Sequence, residues 1–374
     1  MVTGCYFGPA AMAHGTSNNE ILTGVMRAVC LAIGVVVALA GVSSMPAAQS
    51  AVAQATQTGQ FRARSDIVEV YATAIGRNGA GVHDLRGDEF EVYEDGKPRE
   101  ITVFSTMVQP LSVALILDHS GSTDSEFAQI VQASGEFIGH LFKEDRTSVS
   151  TLGWDCAPFT SDRPTLVGAL QKKLPQDPGS PIWSATDRAM GALSSEPGRR
   201  VIVLLSDGVD NQEEILNVPP HPPSAKEVAA AAAAVCKKAD ISVLKTLKDV
   251  MDRAERETVM VYAVEVPGLD PSGGVAFGAA SGGIGPTSQN PPLLQRAPRE
   301  NLARLARRSG GSVHELSDYA QLKAAFKVIA DELHLQYLLG FAPKADGKRH
   351  DITVRVKRPG VTIRARESYR AEGR

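Results

Sequence analysis

The chain has 374 residues, 43% of them hydrophobic and 22% charged, with a formal net charge of −3. That length accommodates one large domain with smaller units or two medium ones, and the composition is globular. A charge so near neutral lacks the basic footprint of a nucleic-acid binder, and pairs such as Arg199-Arg200, Lys237-Lys238 and Arg307-Arg308 suit solvated helix ends.

Residues 28–42 (AVCLAIGVVVALAGV) form an uncharged apolar block behind Arg27. A comfortable bilayer span takes about 20 residues, so the block instead has the form of a secretory signal. Small residues at Ala48-Gln49-Ser50 and Ala51-Val52-Ala53 supply cleavage sites, and Met26 makes residues 1–25 an over-long start. Residues 1–53 are assigned to the signal and 54–60 to a polar linker, and export to the periplasm or beyond is expected. An uncleaved N-terminal membrane anchor is the alternative. Of the four cysteines, Cys5 and Cys30 lie in or before the signal. An oxidising compartment permits Cys156 and Cys236 to pair. They fall in distant, dissimilar segments, however, and two free buried thiols are expected. No CxxC or Cys/His cluster points to zinc.

Residues 61–108 read as a β segment, with strands at Ile67–Ile75, Phe90–Gly96 and Ile101–Ser105 and a tight turn at Asp95-Gly96. Residues 109–333 alternate strand and helix, the mark of a doubly wound sheet. The strands are Leu111–Leu117, a run from Ser148, an antiparallel edge at Cys156–Thr160, Val201–Leu205, Val259–Val266 and a short strand near Val313. Helices fall over Phe127–Leu141, Leu166–Leu174, Ile182–Leu193, a stretch ending at Gly310-Gly311, and Leu322–Leu333. Residues 211–256 and 268–298 read as insertions, the first beginning Pro-rich and leading to Ala229–Ala234, the second rich in Gly, Pro and Ser. Residues 334–374 return to strand, with Ile352, Val354 and Val356 inward and a turn at Pro359-Gly360. This end is expected to join the N-terminal strands in one small β module. The fold class is α/β: a doubly wound, mostly parallel sheet with a flanking β module.

The chemistry lies where the buried strands end. Val113–Leu117 feeds directly into Asp118, Ser120 and Ser122, and Val201–Leu205 ends at Asp207. Carboxylates and hydroxyls at one sheet edge offer a hard cation several oxygens without thiol or imidazole. Helix N-capping explains any one of these residues but not the set in this order. His119 beside them suits packing or solvent. Arg86-Gly87-Asp88 reads as a turn before a strand.

Asp118-x-Ser120-x-Ser122 after a buried strand, with Leu204-Leu205-Ser206-Asp207-Gly208 later, resembles the von Willebrand factor type A (VWFA) domain. The flanks Glu89–Ser105 and Gln336–Pro343, with the strands after them, resemble an acidobacterial-type VWFA-related family over about residues 61–370. The resemblance implies a metal-ion-dependent adhesion site holding Mg²⁺, with Mn²⁺ or Ca²⁺ as alternatives. It also implies Ser180, in Gly179-Ser180-Pro181-Ile182-Trp183, in the place of the family's Thr. Ser120, Ser122 and Ser180 would then contact the ion directly, and Asp118 and Asp207 through water. A partner protein's Glu or Asp would complete the coordination. Asn211–Ser224 in the first insertion and the second insertion, Gly268–Pro298, are expected to form or gate the partner-binding surface around the ion.

No GxSxG elbow, P-loop or HExxH is present, so the expectation is a binding protein and not an enzyme. The alternative function is a structural or assembly component of the cell envelope whose metal site is stabilising or vestigial. Neither reading involves nucleic acid, and a membrane enters only through the N-terminal segment.

Overall fold

The computed structural model describes residues 67–107, 109–177, 179–211, 236–239, 243–267 and 293–372. The expected signal, the linker, the Pro- and Ala-rich part of the first insertion and nearly all of the second lie outside these residues.

Strand β5 (Leu111–Leu117) is buried along its whole length. Its Leu, Val and Ile side chains face cores on both sides, as in a strand covered by helices on both faces. Around it a seven-stranded sheet assembles in the order β11 (Val313–Glu315), β10 (Met260–Glu265), β8 (Arg199–Ser206), β5, β6 (Arg146–Thr151), β7 (Trp154–Thr160) and β9 (Lys237–Lys238). Pairing is parallel from β11 through β6, and β7 joins β6 antiparallel. The Cys156–Thr160 segment is thus antiparallel as expected, but β9 lies outside it and forms the edge.

Helices α1 (Phe127–His140), α2 (Arg163–Gln171) and α6 (Leu322–His334) cover one face of the sheet. In α1, Phe127, Ile130, Phe137 and Ile138 recur at helical spacing and are buried. Helices α3 (Ile182–Leu193), α4 (Leu247–Glu257) and α5 (Leu293–Ser309) lie on the other. Helix α4 corrects the reading of 211–256 as an insertion, because its Val250, Met251 and Ala254 are buried in the second core. A capping box formed by Thr246 and Asp249 starts it.

The chain ends build the expected β module from two four-stranded sheets. One runs β14 (Val361–Ala365), β1 (Val68–Gly76), β12 (Tyr337–Phe341), β4 (Val103–Ser105); the other runs β15 (Ser368–Arg370), β13 (Arg349–Val356), β2 (Phe90–Glu94), β3 (Lys97–Arg99). Val70, Phe90, Val92, Leu339 and Phe341 pack between them. Asp95 and Gly96 both adopt positive φ, 49° and 75°, which joins β2 to its partner by a two-residue turn. That partner is Lys97–Arg99; the predicted strand Ile101–Ser105 shortens to β4 and crosses to the other sheet.

The expectation of two free thiols is overturned: Cys156 and Cys236 form a disulfide. The residues next to them, Asp155 and Lys237, pair across β7 and β9, so antiparallel register sets the cysteines opposite each other despite 80 positions of separation.

Candidate metal centre

Strands β5 and β8 run parallel with Leu117 opposite Leu205, and the Asp118 amide donates to the Leu205 carbonyl at 2.9 Å. Asp118 and Asp207 therefore emerge side by side at the carboxyl edge. Connections diverge there, from β5 toward β6 and from β8 toward β10, which is the switch point where such sheets bind ligands.

The Asp118 carboxylate is completely buried. Its Oδ1 accepts from the Ser120 amide at 3.0 Å and its Oδ2 from the Ser206 hydroxyl at 2.7 Å. The Ser120 and Ser122 hydroxyls lie 3.1 Å apart, and Ser122 Oγ donates to Asp207 Oδ2 at 2.6 Å. Thr123 Oγ1 pins the turn by donating to the Asp118 carbonyl at 2.8 Å. Beyond Asp207 the chain turns through Gly208 at φ 82°, a left-handed conformation natural to glycine, and the Gly208 amide donates to Ser206 Oγ at 3.0 Å. Four of the five predicted residues thus form one hydrogen-bonded cluster.

Ser180, the fifth, is buried and tied to the chain after Asp207 through its backbone. Its amide donates to Asn211 Oδ1, its carbonyl accepts from the Asn211 amide at 3.2 Å, and Asp210 Oδ1 accepts from the Ile182 amide at 2.8 Å. The Ile182 amide also donates to the Ser180 carbonyl at 2.9 Å, so Asp210 adds a side-chain acceptor at the start of α3, where Pro181 supplies no side-chain cap.

Asp177 and Ser206 escape sequence reading. Asp177 is buried and gathers three segments. Its Oδ1 accepts from Thr151 Oγ1 at 2.6 Å and the Gly153 amide at 2.8 Å, and its Oδ2 from the His119 and Leu152 amides at 3.0 and 3.1 Å. His119 is a packing residue. Its ring stacks on Phe127 with centroids 3.5 Å apart, and its nitrogens bond the Pro175 carbonyl and Asp124. Arg86 and Asp88 pair with each other at 3.1 Å in a short 3-10 turn ahead of β2.

Burial first, and neighbouring carboxylates second, set the electrostatics of the cluster. Burial, and then Asp207 across the cluster, push the Asp118 carboxyl up to about 6. Tyr319 is pushed up to about 12, first by burial and then by Asp207 and Asp118. A cation would relieve both effects. Among the described residues no three His, Cys, Asp or Glu side chains gather as a ligand set. The cluster instead joins two carboxylates with nearby hydroxyls, all of them oxygen donors of the type a hard ion takes.

A doubly wound α/β sheet with an acid–hydroxyl cluster at its switch point defines the class of fold, in which the carboxyl edge is the usual place for a ligand. The antiparallel strand beside β6 and Asp-x-Ser-x-Ser after the central strand make the fold that of a VWFA domain, here with a β module from both chain ends.

Among solved structures, the chain is similar to an aerotolerance-related membrane protein from Bacteroides fragilis carrying multiple mutations to serines. Identity is 15% over 60% of this chain and 98% of that one, with a TM-score of 0.37. It is also similar to the vWF domain of the type V pili tip protein Mfa5 from Porphyromonas gingivalis, at 12% identity over 60% and 95% of the two chains and a TM-score of 0.38. A von Willebrand factor type A protein from Catenulispora acidiphila shares 13% identity over 84% of this chain and 75% of its own, with a TM-score of 0.38. No family model and no curated protein matches the sequence.

Proposed function

We propose that this chain is an exported domain that captures a protein partner through a divalent cation, Mg²⁺ foremost, held by Asp118, Ser120, Ser122, Ser180 and Asp207. The observation that carries the reading is the joining of Asp118, Ser120, Ser122 and Asp207 in one cluster at the switch point. Hydroxyls leave much of the cation's charge uncompensated, so the bound ion offers an electrophilic position to a partner's Glu or Asp. The protein's own part is to hold the oxygens: Thr123 fixes the first loop, Ser206 orients Asp118, and Asp177 aligns the loops on either side.

Export is supported by the Cys156–Cys236 bridge, since such bonds persist in oxidising compartments. No helix among the described residues is long and apolar enough to cross a membrane. Catalysis is not part of the proposal. The Ser312 hydroxyl does lie 3.0 Å from His314 Nε2, but Ser312 is buried at the start of β11.

One observation favours a second reading, an envelope component whose metal site only stabilises the fold: the Ser122–Asp207 and Ser206–Asp118 bonds already satisfy much of the cluster from within. Capture from an exported protein fraction, with Mg²⁺ or a chelator and with Asp118→Ala as control, separates the two. Capture that needs both Mg²⁺ and Asp118 supports the adhesive reading; capture indifferent to both overturns it.

A further inference from the structure

Among the described residues, the strands at the edges of the three sheets are β14 and β4, β11 and β9, and β15 and β3. An open edge presents unpaired backbone amides and carbonyls, and proteins guard it with charged residues, proline or brevity. Charge guards every edge but one: Lys97 and Arg99 on β3, with Pro98 between them, Lys237 and Lys238 on β9, Glu315 on β11, Arg364 on β14 and Arg370 on β15. Strand β4 carries none.

From Ile101 to Met107 the chain reads Ile-Thr-Val-Phe-Ser-Thr-Met, without charge, proline or glycine and rich in residues that favour strands. Strand β12 covers one side of β4, through Gly340, Leu339 and Leu338. Apolar surface is exposed along β4, with Phe104 37% and Met107 79% accessible. Ile67, 40% accessible, comes in beside its start, since a Cβ on Gly340 would lie 2.8 Å from both Ile67 Cγ2 and Val103 Cβ. Strand β4 leads through Gln109-Pro110 into the amino end of β5, whereas Asp118 follows the carboxyl end, so this edge lies away from the candidate metal centre.

The absence of charge names the occupant. A charged strand laid against β4 would bring an ionic side chain beside Phe104 and Met107 at a desolvation cost, and every other edge of this chain would do so. A second β4 brings none. Set antiparallel about a twofold axis, two copies offer each other the same apolar residues, the self-matching arrangement of closed dimers, and antiparallel pairing is the firmer kind. We propose that β4 pairs with β4 of a second copy of this chain, joining the two β modules in one continuous sheet. A strand pair this short buries less than the ~800 Å² per partner of a standard interface, so the dimer is reversible.

Sedimentation equilibrium of the full chain, in chelator so that no cation-dependent contact contributes, tests the pairing. The average mass should rise from one chain toward two between about 1 and about 100 μM. Thr106→Lys, at an exposed position on this edge, should raise the dissociation constant at least about tenfold, while Thr106→Val and Val328→Lys, the latter on the exposed face of α6, should leave it unchanged. Amide exchange over Thr102–Met107 should slow between the two concentrations. A chain that stays monomeric at about 100 μM overturns the proposal, and so does an unchanged constant in Thr106→Lys, an equal weakening in Val328→Lys, or exchange at β4 that ignores concentration.

Discussion

Ser122 donates a 2.6 Å hydrogen bond to Asp207, 85 positions further along the chain, and closes the loops after β5 and β8 into one polar cluster. In the absence of a cation that proton tempers the repulsion between Asp207 and the buried Asp118. Asp118→Asn should therefore melt at or above the wild-type temperature without metal, because a like-charge contact disappears. With Mg²⁺ at about 100 times its dissociation constant, the wild type should gain about 2.7 kcal/mol, and Asp118→Asn little or nothing. Thermal scans with Mg²⁺ and with a chelator decide; an equal Mg²⁺ response in the two proteins places the ion elsewhere.

Asp177 holds four donors from the loop after β5 and the β6–β7 turn. Asp177→Ala strands buried donors that water reaches poorly, and should cost on the order of 3 kcal/mol in urea unfolding. Asp177→Asn keeps one acceptor oxygen and should cost less. Because His119 sits between Asp118 and Ser120, calorimetry should also show weaker Mg²⁺ binding in Asp177→Asn. Unchanged Mg²⁺ affinity would confine Asp177 to fold stability.

The Cys156–Cys236 bridge closes a loop spanning 80 positions. Chain-entropy arguments give such a closure about 4 kcal/mol, largely by restricting the unfolded chain. The double variant Cys156→Ser/Cys236→Ser should unfold at clearly lower denaturant, and alkylation followed by mass measurement should find both thiols blocked until reductant is added. Free thiols in the untreated exported protein would contradict the bridge.

What the sequence makes legible here follows from how local the signal is. Leu111–Leu117 running into Asp118, Ser120 and Ser122 writes strand and oxygen loop in consecutive residues. Asp207 follows its own buried strand in the same way. Ser206 and Asp177 are invisible because their roles exist only across strands, Ser206 toward Asp118 and Asp177 toward Thr151 and the neighbouring amides. Helix α4 carries Leu247, Val250, Met251 and Ala254 at helical spacing, but charged residues between them and the Pro-rich stretch before them mask the period. The Thr246–Asp249 capping box was its available signal. The disulfide depends on β9, which at two residues is too short for any pattern to announce.

Two histidines should contribute to the pH dependence of stability with opposite signs. His314 on β11 is held down at about 4, by burial and then by Arg364. An unfolded histidine titrates near ~6.5, so its contribution is complete above that pH and falls as pH drops toward 4, with a slope of at most about 1.4 kcal/mol per unit. His350 on β13 is raised: burial opposes its charge, but the hydrogen bonds to Asp95 and Asp346, at 2.8 and 2.9 Å, outweigh that penalty. Its contribution is present below ~6.5 and lost as pH rises through the raised value. Between pH 4 and 6 the raised Asp118 carboxyl works against the His314 limb, so the two histidines are read in urea unfolding from pH 4 to 9 as differences from the wild type. His314→Gln should flatten the acid limb and leave the alkaline one, and His350→Gln should do the reverse. Acid and alkaline limbs unchanged in both variants would mean that other groups set the profile.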